Sequence, residues 1–152
     1  MQLILWRHAE AVDDAPTDHA RVLTVRGHKQ AAKMAAWLRT QLSGGLDGWR
    51  VIASPAVRAQ QTAASLGVAI ETVNAIAPDA PAAHVIATAA WPENSNNVIV
   101  VGHQPTLGMV AARLINGIDG YVSVKKGAMW WFETRERDGR RETVLKAMAS
   151  PD

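Results

Sequence analysis

Three short apolar runs organise this chain. Leu3-Ile4-Leu5-Trp6, Val51-Ile52-Ala53 and Val98-Ile99-Val100-Val101 show no polar alternation. Each therefore reads as a strand buried on both faces of a sheet, over residues 2–6, 50–53 and 98–101. The stretches between them carry helical periodicity. Thr24 is a candidate N-cap for a helix over about 25–42, with apolar positions at Ala32, Ala35, Ala36, Leu38 and Leu42. Ser43-Gly44-Gly45 ends it. Ser54 and Pro55 are placed to cap and open a second helix reaching Leu66. Shorter helices are expected over Pro81–Ala90 and from Pro105 to about Ile115.

The final third changes period. Ala128–Phe132 and Thr143–Leu145 flank Asp138-Gly139, a dipeptide that favours hairpin turns. The order β-α-β-α-α-β-α-β-β then predicts a three-layer α/β/α sandwich, with a mostly parallel central sheet and an antiparallel hairpin on one edge. One domain spanning 1–152 is expected. In such sheets ligands bind beyond the carboxyl ends of the strands. All three apolar runs end there in reactive or cationic residues: Arg7-His8, Ser54-Pro55 with Arg58 just beyond, and Gly102-His103. Two imidazoles and two guanidiniums brought to one place make an anion site that suits a phosphoryl group.

Composition narrows the alternatives. The 152 residues are 48% hydrophobic and 20% charged, ordinary values for a soluble domain, and the formal net charge of +2 gives little reason to expect nucleic acid as a partner. Arg135, Arg137, Arg140 and Arg141 alternate with Glu133, Glu136 and Asp138, the pattern of a solvated hairpin tip. The absence of cysteine excludes disulfides and thiolate chemistry. No apolar window approaches the length of a membrane span and no leader pattern opens the chain, so a cytoplasmic protein without a membrane partner is expected. No metal-ligand spacing or nucleotide-binding glycine loop is found, and no cofactor is expected. The tryptophans are assigned to packing, with Trp6, Trp130 and Trp131 on strands and Trp37 on a helix. His28 and His84 are expected to face solvent.

Four motifs then stand in order: Arg7-His8-Ala9; the run of Asp18, Arg21, Leu23, Thr24 and Gly27; Ser54-Pro55-x-x-Arg58-Ala59-x-x-Thr62; and Gly102-His103-Gln104-Pro105. Together they resemble the histidine phosphatase superfamily, with its phosphoglycerate mutase-like fold, and within it the SixA-type phosphohistidine phosphatases. Two departures stand out: Ala9 replaces the motif glycine, and Gln104 stands where asparagine is more usual. The resemblance implies that His8 is the nucleophile, phosphorylated in passing, with Arg7, Arg58 and His103 holding the phosphoryl oxygens. It also implies substrate-binding roles for Arg21, Asp18 and Ser54. Glu10 and Asp79 are the candidates for a proton donor to the leaving group.

The expected activity is metal-independent hydrolysis of phosphohistidine on a partner protein. Hydrolysis of small phosphomonoesters such as sugar phosphates is the first alternative, and a phosphate-binding module without turnover, suggested by Ala9, is the second. A phosphomutase needs a substrate-holding lid, and no stretch of the chain is long enough to supply one.

Overall fold

The computed structural model describes residues 1–152. Its elements in chain order are β1 (Gln2–Arg7), α1 (Val25–Gln41), β2 (Trp49–Ala53), α2 (Val57–Ala64), β3 (Glu71–Thr72), a 3-10 turn at Asn74–Ile76, α3 (Ala82–Ala89), β4 (Asn97–Gly102), α4 (Thr106–Asn116), β5 (Met129–Arg137) and β6 (Arg140–Ala149). One six-stranded sheet has the order β3-β2-β4-β1-β5-β6. The pairs β1–β4, β2–β4 and β2–β3 are parallel; β1–β5 and β5–β6 are antiparallel.

Strand alternation divides the apolar runs between two faces. Ile4, Trp6, Val51, Ala53, Ile99 and Val101 pack with Met34, Ala35 and Leu38 of α1 and with Ala59 and Ala63 of α2. Leu3, Leu5, Ile52, Val98 and Val100 pack with Val85 and Ala89 of α3 and with Leu107, Val110 and Ala111 of α4. Both faces are therefore covered, as unbroken apolar runs require. Each fully buried aliphatic side chain contributes about 1.5–3 kcal/mol. Trp131 meets Trp37 and Trp49 edge-on at 6.5 and 5.9 Å between ring centroids, and the Lys146 ammonium lies 4.5 Å from its ring, so these tryptophans do pack.

Several boundaries differ from expectation. Thr24 does cap α1, accepting from the Gly27 amide at 2.9 Å. The buried stripe of α1, however, is Gly27, Gln30, Ala31, Met34, Ala35 and Leu38, while Ala32 and Ala36 face solvent. Alanine is too small to mark a helix face by itself. Ser54 does not cap α2: residue 56 keeps extended backbone and the helix begins at Val57, without a side-chain cap. The hairpin strands run further than their apolar cores, to Arg137 and from Arg140, because backbone pairing continues through polar residues. Their turn has φ of 52° at Asp138 and 74° at Gly139, both left-handed, as a tight hairpin demands. The two-residue β3 and the 3-10 turn had no sequence signal strong enough to see. No helix is long and apolar enough to cross a membrane.

Gly27 explains one motif position by proximity. A methyl group there would overlap the Glu10 carbonyl oxygen, while the ring of contacts around Gly44 is empty. Gly27→Ala is therefore expected to lower stability by about 1–3 kcal/mol, and Gly44→Ala to stay within about 0.5 kcal/mol of wild type. Urea unfolding midpoints compare the two; equal midpoints would remove the close approach as the reason for glycine.

Candidate active site

Strand register assembles the site. Arg7 lies opposite Gly102 in β1–β4, and Ala53 opposite Val101 in β2–β4. Past the strand ends, the His8 amide donates to Gly102 O at 3.0 Å and the Ser54 amide to Val101 O at 3.1 Å. The three termini are thus tied together at one edge. There a cavity of about 230 Å³ is lined by Arg7, His8, Asp18, Arg21, Arg58, Pro78, Asp79, His103, Gln104 and Lys126, with no hydrophobic residue among them. The two imidazole centroids lie 5.2 Å apart.

His8 is 7% exposed, and its protonation pattern follows from its partners. Nδ1 lies 2.7 Å from Ala9 O, which can only accept, so Nδ1 carries the hydrogen. Nε2 accepts from Arg58 Nε at 3.3 Å and so presents a lone pair. Burial lowers the imidazole to about 4; the Ala9 carbonyl opposes this, and the charges of Arg58, Arg7 and Arg21 reinforce it. His103 is lowered to about 3, first by burial and then by His8 and Arg58, with Asp18 opposing. Both rings are neutral at neutral pH in the ligand-free site.

Arg58 is 4% exposed and held by three bonds. Besides His8, it donates from Nη1 to Asp18 O at 2.8 Å and from Nη2 to Asp18 Oδ2 at 3.0 Å. Asp18 also accepts from Arg21 Nη1 at 3.2 Å, and Arg21 Nε donates to Val12 O at 2.7 Å. The Arg58 hydrogen bond, more than any other contact, holds the Asp18 carboxyl below the usual carboxylate range. Arg7 donates from Nη1 to Val124 O at 2.8 Å. Two buried nitrogens, Arg7 Nε and His103 Nδ1, have no partner.

The cavity thus brings together Arg7, His8, Arg58, His103, Arg21 and Asp18. Ser54 is not on its wall: fully buried, it lies behind His103, with Oγ 2.7 Å from Nε2 and accepting from the Ala56 amide at 3.2 Å. It positions the ring rather than lining the space. Of the two proton-donor candidates, Asp79 lines the cavity and Glu10 does not. Glu10 instead accepts from Thr24 Oγ1 at 3.0 Å and from Arg26 at 3.4 Å. Ala9 is fully buried and its side chain belongs to the core cluster against α1 and α2, so its methyl group does not enter the cavity. Thr62 ties that segment to α2, accepting from the Ala9 amide at 3.0 Å and donating to Arg58 O at 2.7 Å.

Lys126 was missed. It precedes β5, which runs antiparallel to β1, so its N-terminal end lies at the same edge as the carboxyl ends of the parallel strands. That inversion was the available signal. Gln104 closes the wall from just ahead of α4, accepting from the Gly108 amide at 2.7 Å and donating to Tyr121 Oη at 3.0 Å. No group of three or more His, Asp or Glu side chains is arranged to hold a metal ion.

No family model matches the chain. It is 33% identical over 168 residues to a phosphohistidine phosphatase SixA homolog of Haemophilus influenzae, covering 99% of this chain and 97% of that protein. It is 31% identical over 125 residues to phosphohistidine phosphatase SixA of Escherichia coli, covering 77% and 76% of the two chains. The solved structure of the protein histidine phosphatase SixA complexed with tungstate superposes with a TM-score of 0.82 at 28% identity, over 99% of this chain and 97% of that one. With the motifs, the sheet order and these relatives in agreement, the chain belongs to the histidine phosphatase superfamily, in its SixA branch.

Proposed function

We propose that this chain hydrolyses phosphohistidine on a partner protein through a phosphoryl intermediate on His8. The observation that carries the reading is the polar cavity itself, where Arg7, Arg58 and His103 surround a neutral imidazole whose Nε2 lone pair faces Arg58. Both similar relatives are phosphohistidine phosphatases or homologs of one, and the similar SixA structure holds tungstate, a tetrahedral oxyanion like phosphate.

The lone pair of Nε2 attacks phosphorus while Nδ1–H stays on the Ala9 carbonyl, so the ring can take up the phosphoryl group without moving a proton. Arg58, which holds that lone pair before substrate enters, first turns its donors from His8 to the phosphoryl oxygens and so frees Nε2 for the attack. Arg7 joins from the end of β1 at the same edge, and the guanidinium forks match those oxygens in shape and charge. His103, backed by Ser54, supplies a further nitrogen. The unpartnered Arg7 Nε and His103 Nδ1 fit a site whose missing acceptor is the substrate. Water attacks the phosphohistidine next, and His8 leaves as the neutral Nδ1–H ring with which it began. Asp18 keeps Arg58 and Arg21 aligned throughout.

The cavity, at about 230 Å³, is below the roughly 300–1,000 Å³ of pockets that enclose small ligands. It holds a phosphoryl group and part of a side chain, leaving the remainder outside. That suits a residue presented by another protein better than a free sugar phosphate. Burial of the Ala9 methyl group in the core removes the reason for a binding module without turnover.

His8→Ala is expected to abolish turnover and leave the unfolding midpoint near that of wild type, and a quench that avoids acid should trap a labelled adduct on wild type alone. Undiminished turnover in the variant excludes His8 as nucleophile. Arg58→Ala should reduce kcat/KM about ten- to a hundredfold, the value of a charge-assisted bond. Assays on a phosphohistidine protein beside a panel of small phosphates test the substrate class, and faster turnover of the panel would overturn it.

The depressed imidazoles give a further expectation. NMR titration of the ligand-free protein should show His8 changing protonation near pH 4 and His103 near pH 3. In the unfolded chain both take up protons near the ordinary value of about 6.5. Between that pH and their folded values the unfolded state binds more protons, so stability is full above about 6.5 and declines as pH falls towards 4. A His8 midpoint close to 6.5 would contradict the burial argument.

A further inference from the structure

Asp79 is a second unusual feature of the cavity wall. Ala80 N donates to Ala77 O at 3.1 Å, closing a turn with Pro78 and Asp79 at its centre, and Asp79 has φ of 68°. With proline at the first central position and positive φ at the second, this is the arrangement of a type II turn, where glycine is the favoured occupant. Aspartate tolerates that backbone better than most residues, usually because its carboxylate bonds to nearby amides. Here it does not. The Asp79 side chain makes no hydrogen bond and no ion pair, yet it lines the cavity. Thr106, at the start of α4 and 2% exposed, donates to Ala80 O at 2.5 Å and pins the turn beside the His103 segment. Asp18, the other carboxylate of the wall, is committed to Arg58 and Arg21. Asp79 is thus an exposed carboxylate without a protein partner, carried on a pinned turn at the wall of a site built for an anion.

Such a group repels phosphoryl oxygens and helps only if the substrate brings a donor to it. We propose that Asp79 accepts a hydrogen bond from the distal ring N–H of the substrate imidazole, making the site selective for phosphoimidazole leaving groups. This rests on the phosphohistidine reading above. A ring phosphorylated on one nitrogen and protonated on the other is the form with the better leaving group. As the His8 Nε2–phosphorus bond forms, the P–N bond breaks and its electron pair passes to the departing ring nitrogen. The proton stays on the distal nitrogen, so the ring leaves as neutral imidazole, and no acid is consumed. Asp79 favours that protonated form and orients it. The Nδ1–H of His8 on Ala9 O is the same device on the enzyme's side of the reaction.

The test compares wild type with Asp79→Gly and Asp79→Asn on phosphoimidazole, p-nitrophenyl phosphate and glycerol phosphate. Asp79→Gly relieves the backbone, so its melting temperature should equal or exceed that of wild type. We expect kcat/KM for phosphoimidazole to fall about ten- to a hundredfold in Asp79→Gly and by less in Asp79→Asn, whose Oδ1 still accepts, while turnover of the two esters, whose leaving groups carry no N–H, holds or rises as the repelling charge is lost. An equal fall on all three substrates, with the His8 adduct still formed, assigns Asp79 to the phosphoryl cradle and overturns the proposal while leaving the function intact. A loss greatest on glycerol phosphate, whose oxygen needs a proton, makes Asp79 a general acid and also overturns it, as does no loss at all. If Asp79→Gly fails to fold, Asp79→Asn decides alone, by a smaller fall on phosphoimidazole that neither ester shares. A wild-type protein that forms no His8 adduct from phosphoimidazole removes the function reading and this inference together.

Discussion

Parallel pairing of β1 and β2 on either side of β4 is the constraint on which the site depends. A parallel sheet aligns strand ends of the same polarity, and hydrogen bonds just beyond those ends, from His8 to Gly102 O and from Ser54 to Val101 O, prevent the three segments from splaying. Residues far apart in the chain then share one edge. Covering both faces with helices leaves that edge as the place where polar side chains can converge.

Electrostatics complete what the sheet begins. Burial, reinforced by neighbouring guanidiniums, keeps both imidazoles uncharged, so the site concentrates positive charge on groups that cannot lose it and leaves the ring nitrogens able to act as base, nucleophile or neutral donor. Packing so much positive charge around one cavity is unfavourable by itself. Asp18 offsets it through bonds to Arg58 and Arg21, while its half-exposed carboxylate leaves the centre of the cavity free.

The motif residues that make no contact with the cavity have plain physical work. Thr62 satisfies a buried amide beside the nucleophile and fastens α2 to it. Thr24 caps α1, and Gly27 lets that helix approach the backbone at Glu10. Ser54 holds the His103 ring from behind. Ala9 is tolerated in place of glycine because its methyl group enters the core with α1 and α2. A motif thus records packing as well as chemistry, and the two are separated only by coordinates.

Much of the fold and most of the site were legible beforehand. Unbroken apolar runs identified the buried strands, Asp138-Gly139 marked the hairpin, and the four motifs led to the SixA branch, because period and turn chemistry are local properties written into adjacent residues. The start of α2, the exposed Ala32 and Ala36, the placement of Ser54 behind a ring, the entry of Lys126 into the cavity, and the choice of Asp79 over Glu10 for its wall were not legible. Each depends on which segments meet in space: an antiparallel strand reverses the end that faces the site, and a pinned turn aims a side chain that its neighbours in sequence leave undirected. The amino-acid order by itself determined the strands and their chemistry, whereas the distances between those chemical groups arose only when the sheet closed.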